Sequence, residues 1–210
     1  MTLASILLDA MQRLDDKHLL GEGGSVSVRL PGTQDLLIAT LGAEPLRVSL
    51  SAKPNSELAQ HIVVYAVRPD VGAIALGGGA FGRTLGSFGG HLPQSFDEQA
   101  RHLGAAAVPM PGHSDDLQAD ARRCLATGGN VWASEHNVLV FGTTVHRLVL
   151  NAELLEKCAK AYVLALATGA RLHTLPWWVC RIANGRLKKD QKRAVQRFAQ
   201  GLLPEEVKGY

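Results

Sequence analysis

Residues 21–29 read Gly-Glu-Gly-Gly-Ser-Val-Ser-Val-Arg, a glycine-rich turn that opens into an alternating run. Val26, Val28 and Leu30 fall on one face of an extended chain and Ser25, Ser27 and Arg29 on the other, the period of a half-buried strand. Pro31-Gly32 supplies a turn, and residues 36–41 (LLIATL) return as a second strand, so the pair is a predicted hairpin. Upstream, Leu3, Ile6, Leu7, Ala10, Met11 and Leu14 recur at helical spacing until Gly21 ends the segment. Downstream, Asn55 or Ser56 caps a helix that carries Leu58, Ile62, Tyr65 and Ala66 on its apolar face and stops before Pro69. A short apolar strand over 71–76 then runs directly into a glycine run, Gly77 to Gly82.

Further along, residues 86–114 are rich in Gly, Pro and His and predict a long loop on the active face, with a short helix around 97–103. A helix at 115–127, one strand over 130–142 (NVWASEHNVLVFG) and a helix from about 151 to 167 follow. From Arg171 onward there are nine Lys or Arg against three Asp or Glu, a local balance of +6 within a total of +3. The segment 185–200 is a basic helix with Leu187, Ala194, Val195 and Phe198 as its sparse apolar face, lying on its own domain or on a neighbouring subunit. Trp177 and Trp178, just before it, are expected as interface or core anchors. The organisation is therefore one compact domain over 1–170 with a basic helical extension over 171–210.

The 210 residues are 46% hydrophobic and 20% charged, which excludes wholesale disorder, and a net charge of +3 is too small for a dedicated nucleic-acid binder. No apolar run reaches the roughly 18 residues of a membrane span. Asp9, Asp15 and Asp16 make the N-terminal segment an amphipathic helix and not a signal peptide. Cys124, Cys158 and Cys180 form no C-x-x-C pair, so the expectation is reduced thiols in a cytoplasmic protein.

Three chemistries can be weighed against local residues: nucleotide binding, metal ligation and nucleophilic catalysis. Gly77-Gly78-Gly79-Ala80-Phe81-Gly82 satisfies G-x-G-x-x-G after a strand, with Asp97 about 20 residues on, the spacing of a dinucleotide fingerprint, although Asp97 does not end an apolar strand. Eight histidines include no H-x-H, H-x-x-H or H-E-x-x-H pair. Glu57 and His61 share a helix face and could form a ligand pair or a carboxylate-oriented imidazole, whereas Glu135 and His136 point to opposite faces of a strand. G-x-S-x-G is absent and no cysteine has a catalytic setting.

Taken in order, these segments resemble the class II aldolase/adducin family. Residues 21–29 are similar to its G-T-x-G-N-x-S-x-R motif, and Leu37-Ile38-Ala39-Thr40-Leu41-Gly42 to its L-I-T-P-T-G strand. Pro54-Asn55-Ser56-Glu57 with His61 and Arg68-Pro69-Asp70 resembles P-S-S-E followed by H and R-P-D. Glu135-His136-Asn137 with Gly142-Thr143-Thr144 resembles the N-H-G strand and its G-x-T turn, and the helix 152–167 the family's closing helix. The resemblance spans about residues 3–168.

That resemblance implies an α/β protein, three-layer α/β/α around a mostly antiparallel sheet, assembled as a homotetramer with sites between subunits. It also implies a zinc held by three histidines that polarises a carbonyl, and a glutamate that moves the adjacent proton. Where the family has H-x-H, this chain has Leu76-Gly77-Gly78, so His136 is the lone surviving metal position and Glu57 the surviving acid/base. In the phosphate pocket Ser25 stands for the family's Asn, Leu41 for its Thr or Ser and Asn55 for a Ser, while Gly42 and Ser56 are unchanged. The expectation is a degenerate, homo-oligomeric binding or regulatory protein without cofactor, membrane or nucleic-acid partner, which takes a small phosphorylated or hydroxylated ligand at Ser25, Gly42, Asn55 and Ser56. The alternatives are a metal-dependent aldehyde-lyase or epimerase using Glu57 and His136, with zinc or another divalent metal held by His91, His102 or His113, and a nucleotide-binding module built on Gly77–Gly82.

Overall fold

The computed structural model describes residues 2–51, 56–87, 91–105, 108–109, 116–133 and 137–206, with the backbone alone at 56, 57, 108 and 109. The first helix, α1 (Leu3–Asp16), is started by the Thr2 hydroxyl, which accepts from the Ser5 amide. Its Leu7, Ala10, Met11 and Leu14 are buried at the spacing that the sequence displays. Strands β1 (Ser25–Arg29) and β2 (Asp35–Thr40) form the expected antiparallel hairpin, and β3 (Leu46–Ser49) extends it. Helix α2 (Ser56–Val67) leads to β4 (Ala73–Gly77), followed by α3 (Ala80–Ser87), α4 (Asp97–His102), β5 (Val108–Pro109) and α5 (Leu117–Cys124). Strands β6 (Val131–Ala133) and β7 (Val138–Gly142) precede two long helices, α6 (Val145–Ala167) and α7 (Trp177–Ala199).

The seven strands form one sheet in the order β3-β2-β1-β4-β7-β6-β5, antiparallel at every pair except β5–β6. Its two faces carry different side chains because successive residues of a strand point oppositely. Val26, Val28, Ala73, Ala75, Val138 and Val140 pack under α1 and α6. Leu36, Ile38, Ile74, Trp132, Leu139 and Phe141 pack under α2 and α5 on the other face. The result is the three-layer α/β/α architecture with a mostly antiparallel sheet.

Several boundaries differ from the sequence reading. The single strand expected over 130–142 is two antiparallel strands with Ala133 opposite Val138, because the chain reverses between them. A helix that the sequence reading did not delimit, α3, starts inside the glycine run at Ala80 and extends to Ser87. Helix α6 begins at Val145, six residues early, because the Thr144 hydroxyl accepts from the Arg147 amide and caps it there. Helix α7 begins at Trp177 and packs against α4 of the same chain. Trp177 and Trp178 are 75% and 55% exposed, so they are not core anchors of this chain. Among the described residues no helix is long and apolar enough to cross a membrane.

The end of α2 is tied to the opposite half of the sheet by a buried charge cluster. Arg68 donates to both carboxylate oxygens of Asp70 at 2.8 and 2.7 Å, to the Gly129 carbonyl at 2.6 Å and to Asn130 Oδ1 at 3.1 Å. Asp70→Ala leaves that guanidinium buried without its counter-charge, so the expected loss is about 3 kcal/mol in urea unfolding. A loss within the roughly 0.5 kcal/mol typical of surface substitutions would contradict this account.

Candidate functional site

Ser25 opens β1 and stands opposite Thr40 of β2 and Leu76 of β4, so the ends of three strands meet at one edge of the sheet. Gly42 lies two residues beyond Thr40 in an exposed turn with φ +76°. Ser56 begins α2 and Glu57 follows it, one helical turn before His61. Asn55 and His136 lie outside the described residues, as does His113.

Helix α2 meets β1 through a buried polar ladder. His61 Nε2 is 2.9 Å from Ser25 Oγ, His61 Nδ1 is 2.8 Å from Ser27 Oγ, and Ser27 Oγ is 3.0 Å from the Tyr65 hydroxyl. His61 and Ser27 have no solvent-exposed surface. Both ring nitrogens of His61 are thus engaged by serines, so His61 is neither a metal ligand nor a ring oriented by Glu57, as the shared helix face had suggested. Burial pushes the His61 imidazole down to about 4 and raises the Tyr65 phenol well above its ordinary range, which keeps both groups neutral. Arg29 closes the far end: it donates to the Val71 and Tyr65 carbonyls, and its guanidinium lies 4.8 Å from the Tyr65 ring centre. The signal for this ladder was S-x-S on a strand and H-x-x-x-Y on a helix, each of which places its two residues on one face.

The glycine run does not hold a nucleotide cradle. The amides of Phe81 and Gly82 donate to the two carboxylate oxygens of Glu156 at 2.8 and 2.9 Å. An internal carboxylate therefore occupies the N-terminus of α3, where a pyrophosphate would have to sit. Asp97 opens α4 and does not end a strand. Gly77 has φ +139°, and a Cβ there would collide with the Leu20 carbonyl oxygen. Gly78 has φ +86°, and a Cβ there would lie 2.9 Å from Val138 Cβ. The loop after α1 and the end of β4 are packed backbone to backbone.

The zinc set implied by the resemblance does not fit the residues present at this strand end. Leu76 offers hydrocarbon, packed partly into the α2 face of the core, and Gly78 offers no side chain. Nor does His102 rebuild the set. It lies at the end of α4, the short helix expected around 97–103, Arg147 donates to its Nδ1 at 3.0 Å, and burial together with Arg147 and Arg101 pushes it down to about 4. His91 is exposed. Among the described residues no three His, Cys, Asp or Glu side chains converge as a metal site would require.

Comparison with known proteins agrees with this architecture. The model of the class II aldolase and adducin N-terminal domain matches residues 6–163. The chain belongs to the class II aldolase/adducin family. Among solved structures it is similar to an L-fuculose 1-phosphate aldolase, with 19% identity, 88% of this chain and 94% of that chain covered, and a TM-score of 0.75. It is also similar to YgbL from Klebsiella pneumoniae, with 22% identity, 87% and 99% covered, and a TM-score of 0.71. An L-fuculose 1-phosphate aldolase from Glaciozyma antarctica PI12 is 16% identical over 97% of this chain and 92% of that chain, with a TM-score of 0.69. No curated protein sequence matches the chain.

Two predictions follow from this geometry. Gly77→Ala is expected to cost about 3 kcal/mol or more in urea unfolding, because both the positive φ and the Leu20 carbonyl oppose a Cβ. The second concerns pH. His61 and His102 drop from an ordinary value of 6.5 to about 4 on folding, so below 6.5 the unfolded chain takes up protons that the folded chain refuses. Their contribution is complete above pH 6.5 and is lost as pH falls towards 4, by up to about 1.4 kcal/mol per pH unit for each histidine. Unfolding free energies measured across this window should show the decline, and His61→Gln should lessen its slope; an unchanged slope in the variant would remove His61 from the account.

Proposed function

We propose that this chain is a binding member of the class II aldolase/adducin family that does not use the three-histidine zinc chemistry of the fold. Its ligand is a small hydroxylated compound carrying an oxyanion, phosphate being the simplest, held where β1, β2, β4 and the start of α2 meet. Ser25, Gly42, Asn55 and Ser56 are the proposed contacts. The protein acts as a homotetramer with sites between subunits, in a binding or regulatory role.

The observation that carries this reading is the end of β4. Two of the positions that would hold zinc in the family are Leu76, a side chain without a donor atom, and Gly78, where an added side chain meets Val138. At the same edge the Ser25 hydroxyl is held by a fully buried His61. Hydrogen bonding toward a ligand is therefore supported while metal ligation is not. Glu57 and His136 then remain as a carboxylate and an imidazole without the other two metal ligands.

Elemental mass spectrometry on tag-free, zinc-supplemented and dialysed protein, with His136→Ala alongside, tests the metal half of this proposal. The expected result is far less than one zinc per chain in both samples. Thermal shift with inorganic phosphate and with dihydroxyacetone phosphate tests the other half, with stabilisation expected in the parent and lost in Ser25→Ala. About one zinc per chain, lost in His136→Ala and accompanied by aldol cleavage, would overturn the proposal in favour of a metal-dependent lyase using Glu57 and His136.

A further inference from the structure

Helix α7 turns one face to its own domain and the other to solvent. Ala183, Leu187, Gln191 and Ala194 are buried at helical spacing, α4 packs against the helix, and Gln191 donates to the Gly128 carbonyl at 2.7 Å. The helix carries seven Lys or Arg and a single acid, Asp190. Asp190 is turned inward, where it accepts from Arg101 of α4 at 2.5 Å with only 16% of its side chain exposed. The solvent face is therefore left with cations and no carboxylate from its own helix. Arg181, Arg186, Lys188, Lys189 and Lys192 are exposed, and their side chains form no ion pair or hydrogen bond with any described residue. Arg193 reaches Asp190 only at 3.7 Å.

The first turns of the same face are apolar. Trp177 is 75% exposed, and Trp178 and Ile182 are each 55% exposed. Trp178 and Ile182 are one turn apart, and Arg186, Lys189 and Arg193 continue their stripe at intervals of four, three and four residues. Trp177 heads a second stripe through Arg181, Lys188 and Lys192. The cations from Arg181 to Lys192 span about 16 Å along the axis. An array of cations suits any polyanion. A nucleic-acid platform, however, stacks bases on aromatic rings interleaved with the cations, whereas here both rings stand at one end beside an aliphatic side chain. That segregation fits a lipid surface, where Trp settles at the headgroup boundary, Ile enters the acyl region, and Lys and Arg meet acidic headgroups.

We propose that the solvent face of α7 docks on the surface of an anionic bilayer, with Trp177, Trp178 and Ile182 seated at the acyl boundary and Arg181, Arg186, Lys188, Lys189 and Lys192 on acidic headgroups. The helix lies on the membrane and does not cross it, so the lack of a spanning helix among the described residues has no bearing on this contact. The sequence expectation of no membrane partner, which considered spanning segments, is replaced here by a peripheral one. The buried face of α7 stays on its domain throughout, and the contact is independent of the ligand proposed at the strand ends.

Vesicles of equal parts phosphatidylcholine and phosphatidylglycerol, set against vesicles of phosphatidylcholine alone, test this with the full chain. Co-sedimentation is expected to be at least about tenfold stronger with the anionic vesicles and to fall at high salt. Emission from Trp177 and Trp178 should shift to the blue on binding and be quenched by brominated acyl chains, over a constant background from the fully buried Trp132. Lys188→Glu with Lys192→Glu is expected to weaken binding about tenfold or more, and Trp177→Ala with Trp178→Ala to do the same. All four side chains are exposed, so urea unfolding should be unchanged, which separates lost binding from lost folding. Equal binding to neutral and anionic vesicles, or binding that survives either double substitution, would overturn the proposal. No binding, with emission already blue-shifted in the vesicle-free protein, would overturn it in favour of a second copy of the chain covering this face. No binding with water-exposed emission would overturn it outright. Tighter capture of duplex DNA or RNA than of anionic vesicles at the same salt would assign the face to nucleic acid instead.

Discussion

A buried imidazole must find partners for both ring nitrogens, and His61 finds them in two serines on a single strand. Ser25 and Ser27 are two residues apart, so they share a face of β1, and their hydroxyls flank one ring. That requirement sets the height and rotation of α2 over the sheet. It places the Tyr65 hydroxyl, one turn on, 3.0 Å from the Ser27 hydroxyl, and Glu57 stands one turn back on the same helix. The charge cluster of Arg68 and Asp70 fixes the other end of the same helix. Helix α2 is thereby located by directional bonds as well as by the apolar contacts of Ile62 and Tyr65.

The opposite face of the sheet shows how close packing can remove a chemistry. Leu20 approaches β4 so nearly that only glycine fits at position 77, and Val138 leaves no room for a side chain at 78. Glu156, on α6, fills the amide nest at the start of α3. A glycine-rich sequence that could bind an anion through its backbone has instead been closed by parts of the same chain. The neighbours that meet at these atoms lie more than fifty residues away along the chain, and the three-glycine match to G-x-G-x-x-G carries no record of them.

The helical spacing of α1, the alternation of β1 and β2 and the colinear order of motifs through Thr144 were legible in the sequence, because a 3.6-residue or 2-residue period needs no partner to be seen. The breaks and starts were less so. The reversal between β6 and β7 falls between Ala133 and Val138, across the polar residues Ser134, Glu135, His136 and Asn137, which by themselves also fit an exposed strand segment, and α3 begins within a run of glycines where Glu156, distant in sequence, accepts from its first amides. The exposed Trp177 and Trp178 show that apolar character alone does not decide burial.

The sequence by itself therefore determined the family, the layer architecture and the residue types at the edge of the sheet, including the absence of side-chain donors at Leu76 and Gly78. Which of those residues act together was decided only by tertiary structure. His61 could have paired with Glu57 on its own helix; instead its ring turns to β1. His102 was a candidate metal ligand; instead its Nδ1 accepts a hydrogen bond from Arg147. The reason is physical: periodicity records which face a side chain occupies, whereas hydrogen-bond partners and close backbone contacts depend on what the rest of the chain brings to that face.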